Sequence, residues 1–144
     1  KWVAKDSVFW VPFLGWMMWM ADYVPVRRGD ASSRQAMHDR CLRHLRCGSS
    51  VLLFPEGTRS KSGEIQAFRR GAFALAVEAN VPVVPIVIDG TLHALPHGTW
   101  VFRVLPPIDP TAADGDVEAL QTMTQNAMIA GLTALRQESV RRGA

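Results

Sequence analysis

Apolar residues in this chain fall into two kinds of pattern, short continuous runs and stripes at helical spacing, and the two alternate from end to end. Residues 8–20 form an uncharged run that holds three Trp and three Met. A strand-like piece containing Tyr23, Val24, Pro25 and Val26 follows, and it ends on the doublet Arg27 and Arg28. Next, Met37, Cys41, Leu42 and Leu45 mark one helical face. Ser32 with Gln35 three residues on predicts a capping box at its start, and Gly48 predicts a left-handed stop. Residues 51–54 are a continuous apolar run of the kind found in strands covered on both faces. Phe68, Ala72, Leu75, Ala76 and Ala79 recur at helical spacing, with Asn80 as the stop. Residues 83–88 and 100–105 read as two further strands, the first entered through Pro82 and Pro85 and the second closed by Pro106 and Pro107. A last helix, capped by Asp116, lines up Val117, Leu120, Thr124, Ala127, Gly131 and Leu135.

This order predicts an α/β fold, a mixed and mostly parallel sheet flanked by helices. At 144 residues the chain is the length of one domain with a real core, and no linker or repeat divides it. Residues 1–144 are therefore read as a single domain. Helix made from residues 8–20 reaches only about two-thirds of the way across a bilayer's hydrocarbon core, so it does not span one. It fits either a buried core helix or an interfacial segment with Trp rings at headgroup depth, and the three Trp favour the second. Phe9, Trp10, Phe13, Trp16 and Trp19 are then the membrane-contact residues. Pro12, the bulky Trp residues and the lack of a small-residue cleavage site argue against reading this run as a signal peptide.

Composition narrows the chemistry. Hydrophobic residues make up 48% of the chain and the formal charge is +3, which suits an anionic surface or substrate and not a nucleic-acid partner. Cys41 and Cys47, six positions apart in a helical pattern, read as reduced thiols instead of a disulfide or a zinc pair. No cluster of His, Cys and carboxylates suggests a metal. Neither a nucleophile elbow nor a phosphate-binding P-loop is present.

The strongest local signal is the run Phe54, Pro55, Glu56, Gly57, Thr58, Arg59, Ser60. An apolar strand opening into a Gly-containing polar loop brings backbone N–H groups to the strand's carboxyl end, and Arg59 adds the planar fork that suits phosphate. The complete string resembles the FPEGTRS block of the glycerolipid acyltransferases, the family of 1-acylglycerol-3-phosphate O-acyltransferases. Three other blocks agree with it in order. Val24, Pro25, Val26, Arg27, Arg28 and Gly29 look like the family's arginine block, with Arg28 aligning best to the acceptor-binding arginine and Arg27 beside it. Phe68, Arg69, Arg70, Gly71 and Ala72 are similar to Phe-Lys-x-Gly-Ala, with Arg69 at the lysine position. Residues 81–87 resemble the apolar block near the acyl tunnel, although a plain core strand explains them equally well. The final helix matches no family block.

The resemblance implies a glycerol-3-phosphate-acyltransferase-like fold and transfer of a fatty acyl group from acyl-CoA or acyl carrier protein to the hydroxyl of 1-acylglycerol 3-phosphate. The product would be phosphatidic acid, in phospholipid biosynthesis at the cytoplasmic face of a membrane, with no cofactor besides the thioester co-substrate. Glu56 and Gly57 would position the glycerol, while Arg28, Arg59 and Arg69 would hold the phosphate together with the start of the helix near Phe68, and Arg27 and Thr58 complete the substrate-binding set. The family's catalytic His, four residues and Asp are missing, because Arg43, Ser49, Gly98 and Phe102 stand five positions after the four histidines His38, His44, His93 and His97. No catalytic residue is assigned. The expectation is a piece of a longer enzyme that binds a lysolipid and turns nothing over. The alternatives are a non-catalytic phospholipid-binding protein of the same fold, and an acyltransferase acting on another lysolipid or an amine lipid.

Overall fold

A computed structural model describes residues 1–58, 60, 62–91 and 100–143. Arg59, His93 and His97, all named above, lie outside the described residues. Two compact units divide the chain, Lys1–Phe54 and Pro55–Ala144.

In the first unit, β1 (Val3–Lys5) pairs in parallel with β2 (Val24–Val26), in the register Val3 to Val24. Pro25 is tolerated there because a strand with one neighbour leaves one row of its backbone unpaired. On β1's other side a parallel bridge joins Trp2 to Leu52. This bridge is all that forms of the expected strand over residues 51–54. The polar loop opening at Pro55, which has no N–H to donate, ends the pairing, and Leu52 and Phe54 are exposed.

The connection from β1 to β2 corrects a second expectation. Residues 8–20 do not form one helix. A 3₁₀ turn, Asp6–Trp10, is followed by α1 (Leu14–Met20), and the break falls at Pro12, with Phe13 at φ +62°. Gly15 brings α1 against the backbone of Phe9, while Phe9 and Trp19 meet edge to face at 5.0 Å.

Helix α2 (Ala31–Arg46) leads from β2 back toward Leu52. Its cap is Asp30, whose Oδ1 accepts from the Ser33 N–H at 3.1 Å. Ser32 is no cap: its hydroxyl donates to the same Asp30 oxygen, and Gln35 turns to Asp39. The carboxylate is the better acceptor for N–H groups at a helix start. The predicted stripe and stop both hold, with Cys41 and Leu42 buried and Gly48 at φ +77°. Both cysteines are free, and burial pushes the Cys41 thiol up to about 11.

The second unit contains α3 (Gly71–Ala79), the antiparallel pair β3 (Ile86–Asp89) and β4 (Val101–Val104), and the long α4 (Val117–Gly143). Asn80, left-handed at φ +50°, ends α3 as predicted, but α3 begins at Gly71 and not near Phe68. Asp116 caps α4 by accepting from the N–H groups of Glu118 and Ala119. Phe68, Phe73, Ala76, Ala113 and Leu120 form the main core, and Val87, Leu132 and Leu135 form a smaller one beneath β3. The described residues are thus mixed α/β, with one parallel and one antiparallel ladder among them.

Acid should loosen the first unit. The Arg27 guanidinium holds the Asp6 carboxyl below its ordinary 3.8, Arg40 does the same for Asp22, and the Ser32 hydroxyl and Ser33 N–H do so for Asp30. Carboxyls lowered on folding stabilise the protein above pH 3.8 and lose that contribution as pH falls through the depressed folded values. We expect a thermal midpoint that is flat from about pH 7 to about pH 5 and declines below about pH 4. Asp22→Asn should lower it at neutral pH and leave it nearly unchanged in strong acid.

Candidate functional site

The described residues between Pro55 and Arg69 belong to one loop, closed at its neck where the Arg69 N–H donates to the Pro55 carbonyl at 2.8 Å. Gly57 turns the chain at φ +70°, a conformation that costs an L side chain about 1–2 kcal/mol. The space a Cβ would take at Gly57 is filled by Arg69, whose Nε lies 2.4 Å from that position. Arg69 therefore reaches back over the Glu56-Gly57 turn with its side chain exposed. Glu56 is held by the Gln66 N–H, which donates to Oε2 at 3.1 Å, and the Thr58 hydroxyl donates to Gln66 Oε1 at 3.3 Å. This brings together Glu56, Gly57, Thr58 and Arg69 of the predicted set.

The arginine doublet is sorted by its partners. Arg27 Nε donates to Asp6 Oδ2 at 2.8 Å, and the Arg27 N–H donates to the Ser33 hydroxyl, also at 2.8 Å. Its guanidinium is thus taken by a carboxylate. Arg28 is exposed at the end of β2 and has no ion-pair partner among the described residues. A shallow cavity of about 340 Å³ in this unit is lined in part by Asp6, Arg27 and Asp30. Its two arginines, Arg27 and Arg40, are already paired with Asp6 and Asp22, and Arg28 does not line it.

The apolar run has its own geometry. Trp10, Phe13, Trp16 and Trp19 are 85%, 73%, 64% and 52% exposed, and Met17 and Met20 join them. Phe9 is the exception, withdrawn into the core of its unit at 5%. A cluster this rich in exposed aromatics exceeds the scattered apolar residues of an ordinary surface. Arg40 ties the cluster down by pairing with Asp22 and lying 5.9 Å over the Trp19 ring. No helix among the described residues is long and apolar enough to cross a membrane.

In each unit, residues that hold these side chains were missed by sequence reading. Asp6 fixes Arg27, and Gln66 fixes both Glu56 and Thr58. From α4, Gln121 and Gln125 donate to the carbonyls of Phe68 and Gln66 at 3.0 and 3.4 Å. Arg136 donates to Glu64 Oε1 at 2.7 Å, to the Gly63 carbonyl at 2.8 Å and to Asp89 Oδ2 at 3.3 Å. The i, i+4 spacing of Gln121 and Gln125 on the buried side of α4 was the one available signal.

Comparison with known proteins agrees with these motifs. A family model described as acyltransferase matches residues 1–89. A chloroplastic 1-acyl-sn-glycerol-3-phosphate acyltransferase of Brassica napus is 42% identical over 99 residues, 69% of this chain and 29% of the relative. The Escherichia coli 1-acyl-sn-glycerol-3-phosphate acyltransferase is 32% identical over 113 residues, 74% of this chain and 46% of that protein. The chain thus spans less than half the length of these curated relatives. A crystal structure of the 1-acyl-sn-glycerophosphate acyltransferase from Thermotoga maritima superposes with a TM-score of 0.78 at 25% identity, covering 94% of this chain and 56% of that one.

Proposed function

Because this chain belongs to the acyltransferase family, we propose that it forms the acceptor-binding part of an enzyme that acylates 1-acylglycerol 3-phosphate to phosphatidic acid. The observation that carries this reading is the loop of residues 55–69, in which Arg69 lies over Gly57 while Glu56 and Thr58 are held by Gln66. Within the second unit, Glu56 and Thr58 offer hydrogen-bonding oxygens to the glycerol and Arg69 offers a guanidinium to the phosphate, with Arg59 beside it in sequence. In the first unit, Arg28 is the acceptor-phosphate arginine that the family resemblance implies. The donor is acyl-CoA or an acyl carrier protein thioester, and no further cofactor is needed. Proton transfer from the attacking hydroxyl falls to a base other than the four histidines here, none of which has an Asp five residues on.

The exposed aromatic cluster supplies the approach to the substrate. Trp10, Phe13, Trp16 and Trp19 enter the headgroup region of the leaflet from the cytoplasmic side, where a lysolipid acceptor resides. Phe9 holds the cluster's base in place and does not itself contact lipid.

The arginine doublet tests this reading. Calorimetric titration with a short-chain lysophosphatidate should show Arg28→Ala binding at least about tenfold more weakly, a loss of ~1.4 kcal/mol. Arg27→Ala should weaken binding less than about threefold, since Asp6 already occupies that guanidinium. Equal losses at the two positions, or none at Arg28, would count against the assignment.

A further inference from the structure

We propose that α4 positions the acceptor loop, with Gln121, Gln125 and Arg136 as its positioning residues. This inference rests on the acceptor site proposed above and extends it into a helix beyond the residues 1–89 that the family model matches.

Successive spacings of four and eleven residues carry the three side chains only about 40° and then about 20° around a helix, so they share one stripe. That stripe meets the loop at four backbone or side-chain points, the carbonyls of Phe68, Gln66 and Gly63 and the carboxylate of Glu64. Between them lie the buried Leu132 and the partly buried Met128, so the polar contacts are set in an apolar surface. The link to the site is direct. Gln125 fixes the carbonyl of Gln66, the same residue whose N–H holds Glu56 and whose side chain accepts from Thr58. Gln121 fixes the carbonyl of Phe68, immediately before the Arg69 that lies over Gly57. Arg136 fastens the loop's middle to Asp89 at the end of β3.

Loops need such fastening to hold a ligand in one geometry, because each residue left free must be ordered when the ligand binds. Glutamines suit the task, since an amide N–H can satisfy a loop carbonyl at a partly buried surface where an unpaired carbonyl is costly. Neither glutamine touches the acceptor in this arrangement. Each acts through the loop.

The test is a double variant, Gln121→Met with Gln125→Met, which keeps side-chain length, helix propensity and charge while removing both donors. Binding of a short-chain lysophosphatidate to the whole chain should weaken at least about fivefold. Amide hydrogen exchange at Gln66 and Arg69 should speed up while exchange in α3 and the middle of α4 stays as in the unaltered chain. Arg136→Lys, which keeps the charge and loses the fork, should speed exchange at Glu64 and weaken binding by a smaller factor. Unchanged affinity in the double variant overturns the inference alone. So does weaker binding accompanied by faster exchange throughout α3 and α4, which would report general loosening. If the unaltered chain binds no lysophosphatidate, the acceptor-site reading and this inference both fail.

Discussion

Gly15→Ala should unfold or grossly rearrange the first unit, a larger loss than any other single-methyl change in it. A Cβ at Gly15 would lie 2.0 Å from the carbonyl oxygen of Phe9 and 2.6 Å from its carbonyl carbon. Both obstacles are backbone, so no rotamer change relieves them. Overpacking a core against movable side chains costs about 1–3 kcal/mol, and a clash with fixed backbone should cost at least the upper end of that range. The contact also sets how α1 sits on the 3₁₀ turn, with Phe9 against Trp19 and Arg40 over the same Trp ring. Denaturant unfolding followed by Trp fluorescence checks this outcome. An unfolding free energy within about 0.5 kcal/mol of the unaltered chain would show that α1 does not depend on this approach.

Gly57→Ala should leave the second unit folded and remove most of its affinity for a lysophosphatidate. Here the atoms in the way are Nε, Cδ and Cζ of Arg69, the movable end of a long exposed side chain. The steric conflict is relieved by moving Arg69, and the left-handed φ of +70° adds a cost of about 1–2 kcal/mol. Arg69 displaced from the loop no longer meets a phosphate held there, and a charge-assisted hydrogen bond of this type contributes about 1.5–3 kcal/mol. The expected loss in affinity is therefore at least about tenfold. Lysophosphatidate titration alongside thermal unfolding separates the two effects. A large fall in the unfolding midpoint with affinity intact would contradict the role given to Arg69.

The contrast between these glycines indicates which features were legible in the sequence. Signals set by neighbours in the chain were readable: the Gly48 and Asn80 stops, the Asp116 cap, the apolar stripe of α2, and the polar loop that follows Phe54 with its turn at Gly57. Local competition between similar groups was harder. Asp30 and Ser32 both carry capping oxygens, and the charged one took the N–H of Ser33 while Ser32 became its donor. Pro12 broke the uncharged run because a ring without an N–H cannot continue a helix, a rule that the apolar content of residues 8–20 obscured. Contacts between distant residues left almost no trace, since the i, i+4 pair Gln121 and Gln125 marks a polar stripe on α4 and not what that stripe meets. Gln125 meets Gln66 across 59 positions and Arg136 meets Glu64 across 72, and no period or motif encodes such pairs. For the same reason the resemblance ranked Arg28 above Arg27, but only Asp6, 21 positions away, explains why Arg27 is occupied.

Recognition of the phosphate of a lysolipid acceptor separates this chain from a general lipid binder. Calorimetric titration with a short-chain lysophosphatidate and, separately, with the monoacylglycerol that has the same chain and no phosphate tests it most directly. We expect saturable binding of the first and at least about tenfold weaker binding of the second, the difference shrinking in Arg28→Ala. Equal affinity for the two lipids, or no saturable binding of the lysophosphatidate, would contradict it.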